Sequence, residues 1–269
     1  MARWATLINA KRAENPVLLL DVGGFCRYRN TSHKELKDRF FFEGVEMLGY
    51  DAMGIGESEI RFGRTRLEKA KKAYSLPLLS ANILDKKSGK PIAAPYTIKH
   101  VGGRRTLFGQ RGGIRIGIFS VVLPGYIYSI DREAQRFYEV KNPGMTALET
   151  ASRLKSMGCD LVIALSYQGW TKSAELAEAA AGIDIVLNGR KSHHSTYSER
   201  FGNTIAVDIG NKRTSLTEID ITFENGKPLI TARDVGKEVL ESEADPDLAA
   251  LEKRFEKEKT QIETGGGSR

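Results

Sequence analysis

Cys26 stands in the run Asp21-Val22-Gly23-Gly24-Phe25-Cys26-Arg27-Tyr28-Arg29, directly after a short apolar segment. Nucleophilic and redox chemistry both require a thiolate, and the flanking Arg27 and Arg29 favour that form. The competing reading is a small buried hydrophobe. Cys159 precedes an apolar run and reads as packing. With these two cysteines alone and no C-x-x-C pair, neither a disulfide framework nor a thiolate zinc site can be assigned, and a dithiol cycle would need a partner thiol.

Three further loops follow strand-like runs: Gly54-Ile55-Gly56-Glu57-Ser58-Glu59, Leu165-Ser166-Tyr167-Gln168-Gly169, and Leu187-Asn188-Gly189-Arg190-Lys191-Ser192-His193-His194. Glu57 and Glu59 are the acids of the first. They read as pocket carboxylates, or else as a backbone-bonding Glu57 and a solvated Glu59. His193 and His194 are adjacent, so in an extended loop they point opposite ways and cannot both face one metal. They read as surface or loop-packing histidines, or as a shifted metal or anion ligand. Tyr167 and Trp170 offer flat rings, either as walls of a ligand pocket or as volume fillers.

The order and spacing of these four loops, with the phrases "LGYDAMGIGE", "LPLLSANI", "GCDLVIALSYQG" and "AGIDIVLNGR", resemble the calcineurin-like metallophosphoesterases, and more closely their exported 5′-nucleotidase branch, from about Trp4 to Phe223. The resemblance implies a four-layer α-β-β-α sandwich of two facing mixed sheets. It also implies two divalent metals that bind a phosphate ester and activate water. Matched position by position, the ligands are missing. Gly24 takes the place of the bridging Asp, Ile55 that of a metal-binding Asn, and Gly56 that of a catalytic His. Tyr167 replaces a third-loop His, and Arg190 and Ser192 replace the final ligand pair. Glu57 is kept, and Glu59 stands where an Asp would partner the catalytic His. Arg190 would bring a permanent positive charge to a cation's place. Met1 falls in the helix that would follow the family's first motif, so the expected sheet lacks its central first strand.

The elements that must position these loops are legible. Apolar β-rich runs at Pro16 to Asp21, Ile114 to Ser120, Leu161 to Ser166, Ile183 to Leu187 and Thr204 to Asp208 alternate with helical segments at Lys34 to Leu48, Thr146 to Met157 and Ser173 to Ala181. On periodicity alone this is a layered α/β fold. From Ser215 the pattern alternates to Phe223, turns through Glu224-Asn225-Gly226-Lys227 and returns from Pro228 to Thr231, as a hairpin does. Asp245-Pro246-Asp247 caps a last helix with Leu248, Leu251 and Phe255 on one stripe. The expected division is a domain over 1–235, a C-terminal helix over 236–263 and a flexible tail over 264–269.

At 269 residues and 41% hydrophobic content, the chain is long enough to bury a shared core. Its net charge of +7 is read as Lys and Arg spread among nearly as many acids, a mildly basic solvated surface with no nucleic-acid signature. No apolar run approaches the ~20 residues of a membrane span. Two functions follow. The first is a domain of the 5′-nucleotidase type that has lost its dimetal site and phosphate-ester hydrolysis, and that binds a small-molecule or protein ligand or uses Cys26, with no cofactor. The second is an active phosphoesterase holding two Mn or Zn ions through displaced ligands such as His193, His194 and Glu57. The resemblance suggests a periplasmic or exported location and a further domain beyond the last helix.

Overall fold

The computed structural model describes residues 1–25, 33–106, 109–129, 132–190, 195–210, 216–224 and 227–265. Along the chain run α1 (Ala2–Glu14), β1 (Leu20–Asp21), α2 (Lys34–Leu48), β2 (Ala52–Gly54), α3 (Glu57–Phe62), α4 (Arg64–Ala73), β3 (Leu78–Leu79) and β4 (Ile83–Asp85). There follow β5 (Tyr96–Val101), β6 (Arg104–Thr106), β7 (Gly109–Arg111), β8 (Ile114–Val122), α5 (Pro124–Tyr128), α6 (Arg132–Phe137), β9 (Tyr138–Val140) and α7 (Pro143–Ser156). The last elements are β10 (Leu161–Tyr167), α8 (Trp170–Ala179), β11 (Ile185–Asn188), β12 (Tyr197–Phe201), β13 (Thr204–Asp208), β14 (Thr217–Glu224), β15 (Lys227–Asp234), α9 (Gly236–Glu241) and α10 (Pro246–Gly265).

Six strands form a mixed sheet in the order β12-β13-β11-β10-β8-β5, parallel from β13 to β8 with antiparallel strands at both edges. Its central strands are apolar on both faces because both faces are covered. Along β10, Leu161, Ile163 and Leu165 join one buried cluster and Val162 and Ala164 the opposite one. The second cluster is closed by Ala147, Ala151 and Leu154 of α7 and by Leu176 and Ala177 of α8. The first is the sandwich interior. There Ile116, Ile118, Ile185, Leu187, Ile205 and Val207 meet Ala52 and Leu79 from the smaller sheet, Val22 just after β1, and Ile230 from the β14–β15 hairpin. Full burial of each such side chain contributes about 1.5–3 kcal/mol.

The smaller sheet is parallel and has the order β1-β2-β3, while β14 and β15 form a separate antiparallel ladder. Among the described residues, β1 pairs with β2 alone. Helices α1, α2 and α10 bury Ala5, Phe40, Leu48, Leu248 and Leu251 together as a third cluster. Residues 236–265 form two helices rather than one, because α9 ends at Glu241 and Asp245 starts α10, its Oδ1 accepting from the Asp247 and Leu248 N–H groups. Leu248 and Leu251 of the expected stripe are buried, and Phe255 stacks edge-on against Phe40 at 5.5 Å.

Candidate functional site

The loops leaving β1, β2, β10 and β11 meet at the carboxyl ends of their strands, as parallel strands require. The loop after β1 turns at once, with Asp21 Oδ1 accepting from the Gly23 N–H at 2.7 Å. Gly24 follows with φ +83°, a region that glycine occupies without a Cβ penalty. Ile55, one of the sequence-derived pocket residues, is 1% exposed and packs in a core cluster with Met53 and Ile83, so its side chain is structural.

Gly56 is the N-cap of α3, and Glu59, the third residue of that helix, folds back over it. One oxygen, Oε2, accepts from the Gly56 N–H and from the Gly24 N–H, each at 2.8 Å. This is half of a capping box; the reciprocal half needs a side chain that Gly56 lacks. The Glu59 carboxylate is fully buried at a helix amino end, and it joins two loops by charge-assisted bonds. The alternative of a solvated Glu59 and a backbone-bonding Glu57 is therefore corrected. Glu59 holds the backbone, and Glu57 forms an ion pair, Oε2 to Arg190 Nη2 at 3.0 Å.

Tyr167 ends β10 at 5% exposure and reaches between the two glycines. A Cβ built on Gly24 would lie 2.7 Å from its hydroxyl oxygen, and a Cβ on Gly56 would lie 2.9 Å from its Cε1 and Cζ atoms. The ring thus occupies the space that side chains at both positions would need. Tyr126 of α5 meets it edge-on at 6.3 Å. The Arg190 guanidinium lies 4.6 Å from the Tyr126 ring centre and 5.9 Å from that of Tyr167, within cation–π range. Trp170 belongs elsewhere. It packs on the cluster beneath α7 and α8 and meets Tyr197 edge-on at 5.1 Å, so the two rings sit in different clusters. Cys26, Ser192, His193 and His194 lie outside the described residues.

Beneath Arg190 runs a buried polar chain that the sequence reading did not single out. Ser166, next to last in β10, lies in register with Asn188 and Asp208, which end the adjacent parallel strands β11 and β13, and all three are at 1% exposure or less. Ser173 Oγ donates to Asn188 Oδ1 at 3.1 Å, so the 2.8 Å contact between the two serines has Ser166 as donor, and Gln168 Nε2 donates to Ser166. Asn188 Nδ2 donates to the Asp208 carboxylate and to the Arg190 carbonyl, which fixes the start of the arginine's loop. The available signal was a polar residue at the carboxyl end of each buried strand. Among the described residues, no group of three or more His, Cys, Asp or Glu is placed to hold a metal ion.

With this geometry in view, known proteins are informative. A 5′-nucleotidase of Vibrio cholerae is 31% identical over 204 residues, covering 70% of this chain and 33% of its own length. The chain's homologues are 5′-nucleotidases and calcineurin-like phosphoesterases. Its fold matches a Thermus thermophilus sulfate thiohydrolase, SoxB, with a TM-score of 0.80 at 21% identity, over 94% of this chain and 46% of that one. It also matches the Bacillus subtilis calcineurin-like phosphoesterase YfkN with a TM-score of 0.77 at 20% identity, over 96% and 88% of the two chains. The expected α/β sandwich of this superfamily is thus the observed fold. No protein-family model matches the chain. The chain spans about a third of the length of the Vibrio nucleotidase. No helix among the described residues is long and apolar enough to cross a membrane.

Proposed function

We propose that this chain is a 5′-nucleotidase-like domain in which a tyrosine, an arginine and a carboxylate replace the dimetal centre. In this reading it binds a small-molecule or protein ligand and does not hydrolyse phosphate esters. The position of the Tyr167 ring carries the proposal. A bridging carboxylate at position 24 or an imidazole at position 56 would have to enter the volume that ring fills, at separations of 2.7–2.9 Å. Arg190 supports it by supplying one fixed positive charge, neutralised by Glu57, and a guanidinium cannot donate electrons to a metal. Among the described residues, the carboxylates of Asp21, Glu59 and Asp208 near these loops are engaged with backbone N–H groups. Such a set does not fit two clustered divalent ions, which need several free oxygen and nitrogen donors around a shared carboxylate. Export and Cys26-based thiol chemistry are further parts of this proposal.

Metal analysis of the purified protein, paired with hydrolysis of AMP and of bis-p-nitrophenyl phosphate in added Mn or Zn, tests it. The expected outcome is well under one bound ion per chain and no metal-dependent turnover. Finding about two ions per chain together with hydrolysis would restore the active reading.

A further inference from the structure

The net charge of this protein is not evenly spread. Residues 61–90 contain nine Lys and Arg against only Glu68 and Asp85, a local net of +7 that equals the formal charge of the whole chain. The fold brings α4, the β4 turn and α6 of this region into contact. Arg64 at the start of α4 reaches Asp85 at the end of β4 at 2.8 Å, and Lys71 donates to the Ile92 carbonyl at 2.9 Å. Lys86 donates to the Gln135 carbonyl at 2.7 Å, which brings α6 alongside. Both acids of the segment are consumed internally, Asp85 by Arg64 and Glu68 by Lys71. Arg61, Lys69, Lys72, Lys87 and Lys90 are exposed, and among the described residues none has a carboxylate at ion-pair distance. Beside them Phe137 is 43% exposed, with the Arg64 guanidinium 5.7 Å from its ring centre.

We infer that the face formed by α4, the β4 turn and the α6–β9 junction docks peripherally on an anionic lipid bilayer. Four of the five unpaired cations are lysines, compact charges that suit a diffuse anionic surface better than the bidentate recognition for which arginine is fitted. Phe137 supplies an aromatic ring at the rim of the basic field, as side chains at a bilayer interface do. Such attraction is worth about fivefold in partitioning per basic residue and is screened by salt.

Co-sedimentation of the full chain with phosphatidylcholine vesicles containing about one-third phosphatidylserine tests the inference. Binding is expected at about 0.1 M salt and release at about 0.5 M, with no binding to pure phosphatidylcholine. The variant Lys69→Gln/Lys72→Gln/Lys87→Gln/Lys90→Gln should lose about fivefold per lysine at unchanged thermal stability. Phe137→Ser should weaken binding while leaving its salt dependence intact. Failure of the wild-type chain to bind at low salt would overturn the proposal, as would equal binding by the quadruple variant. Tighter binding to a duplex oligonucleotide, displacing the protein from vesicles, would assign the face to nucleic acid instead.

Discussion

If the Tyr167 ring truly fills the space above Gly24 and Gly56, a single added methyl group should report it. Gly24→Ala places a Cβ 2.7 Å from the tyrosine hydroxyl and 2.9 Å from Cε2, at a φ of +83°. The left-handed backbone costs an alanine about 1–2 kcal/mol, and forcing the ring aside adds about 1–3 kcal/mol of overpacking. The expected loss is thus about 2–5 kcal/mol. In a Tyr167→Ala background the obstructing atoms are gone and only the backbone share of about 1–2 kcal/mol remains. Urea unfolding of the four proteins of this cycle should therefore give a coupling of about 1–3 kcal/mol. Tyr167→Phe, which removes only the nearest atom, should give an intermediate value. Equal costs for Gly24→Ala in both backgrounds, within about 0.5 kcal/mol, would mean that the ring lies elsewhere, and the argument for an obstructed dimetal centre would fall.

Other perturbations probe the same architecture. Glu59→Ala strands two buried N–H groups at about 1–3 kcal/mol each, so a loss of about 2–6 kcal/mol is expected in chemical denaturation. Glu59→Gln, with one oxygen still able to accept both bonds, should lose markedly less, and an alanine variant as stable as wild type would remove the tie between the loops. Burial, reinforced by the charge of Asp21, pushes the Tyr50 phenol well above its ordinary value. Neutral tyrosine is the form that the fold favours. Its contribution is intact below pH ~10 and is lost as pH rises past that ordinary pKa, so Tyr50→Phe should move the alkaline unfolding midpoint upward. The two cysteines should separate in an alkylation series. Burial raises the Cys159 thiol, which should react slowly in the native protein, whereas Cys26 chemistry requires reaction well below the ordinary pKa of about 8.5. Ordinary titration of Cys26 would withdraw the thiol proposal.

Much of this was written in residue types alone. Uninterrupted apolar runs at 161–166 and 204–208 gave central strands because each is buried on two faces, and the 3.6-residue pattern of Lys34–Leu48 gave α2 at its observed bounds. The substitution of glycine, isoleucine, tyrosine and arginine for ligand types was equally legible, because the chemistry a side chain can offer is fixed by its identity. The apolar run from Pro16 predicts a longer strand than forms: only Leu20–Asp21 pairs, since a ladder depends on its neighbours as well as on apolarity. Short α3 and α4 and the edge strand β12 carry little periodic signal, and they take shape from packing.

Directions and partners were left to the tertiary structure. Glu57 and Glu59 are the same acid two residues apart, and helical geometry alone turns one toward the Gly56 and Gly24 amides and the other toward Arg190, far along the chain. The register of β10, β11 and β13 makes one polar chain of Ser166, Asn188 and Asp208, which are widely separated in sequence. The sequence by itself determined which donors are missing from the loops. Only folding decided what stands in the space they left, because that depends on which ring from another strand reaches two positions without a Cβ.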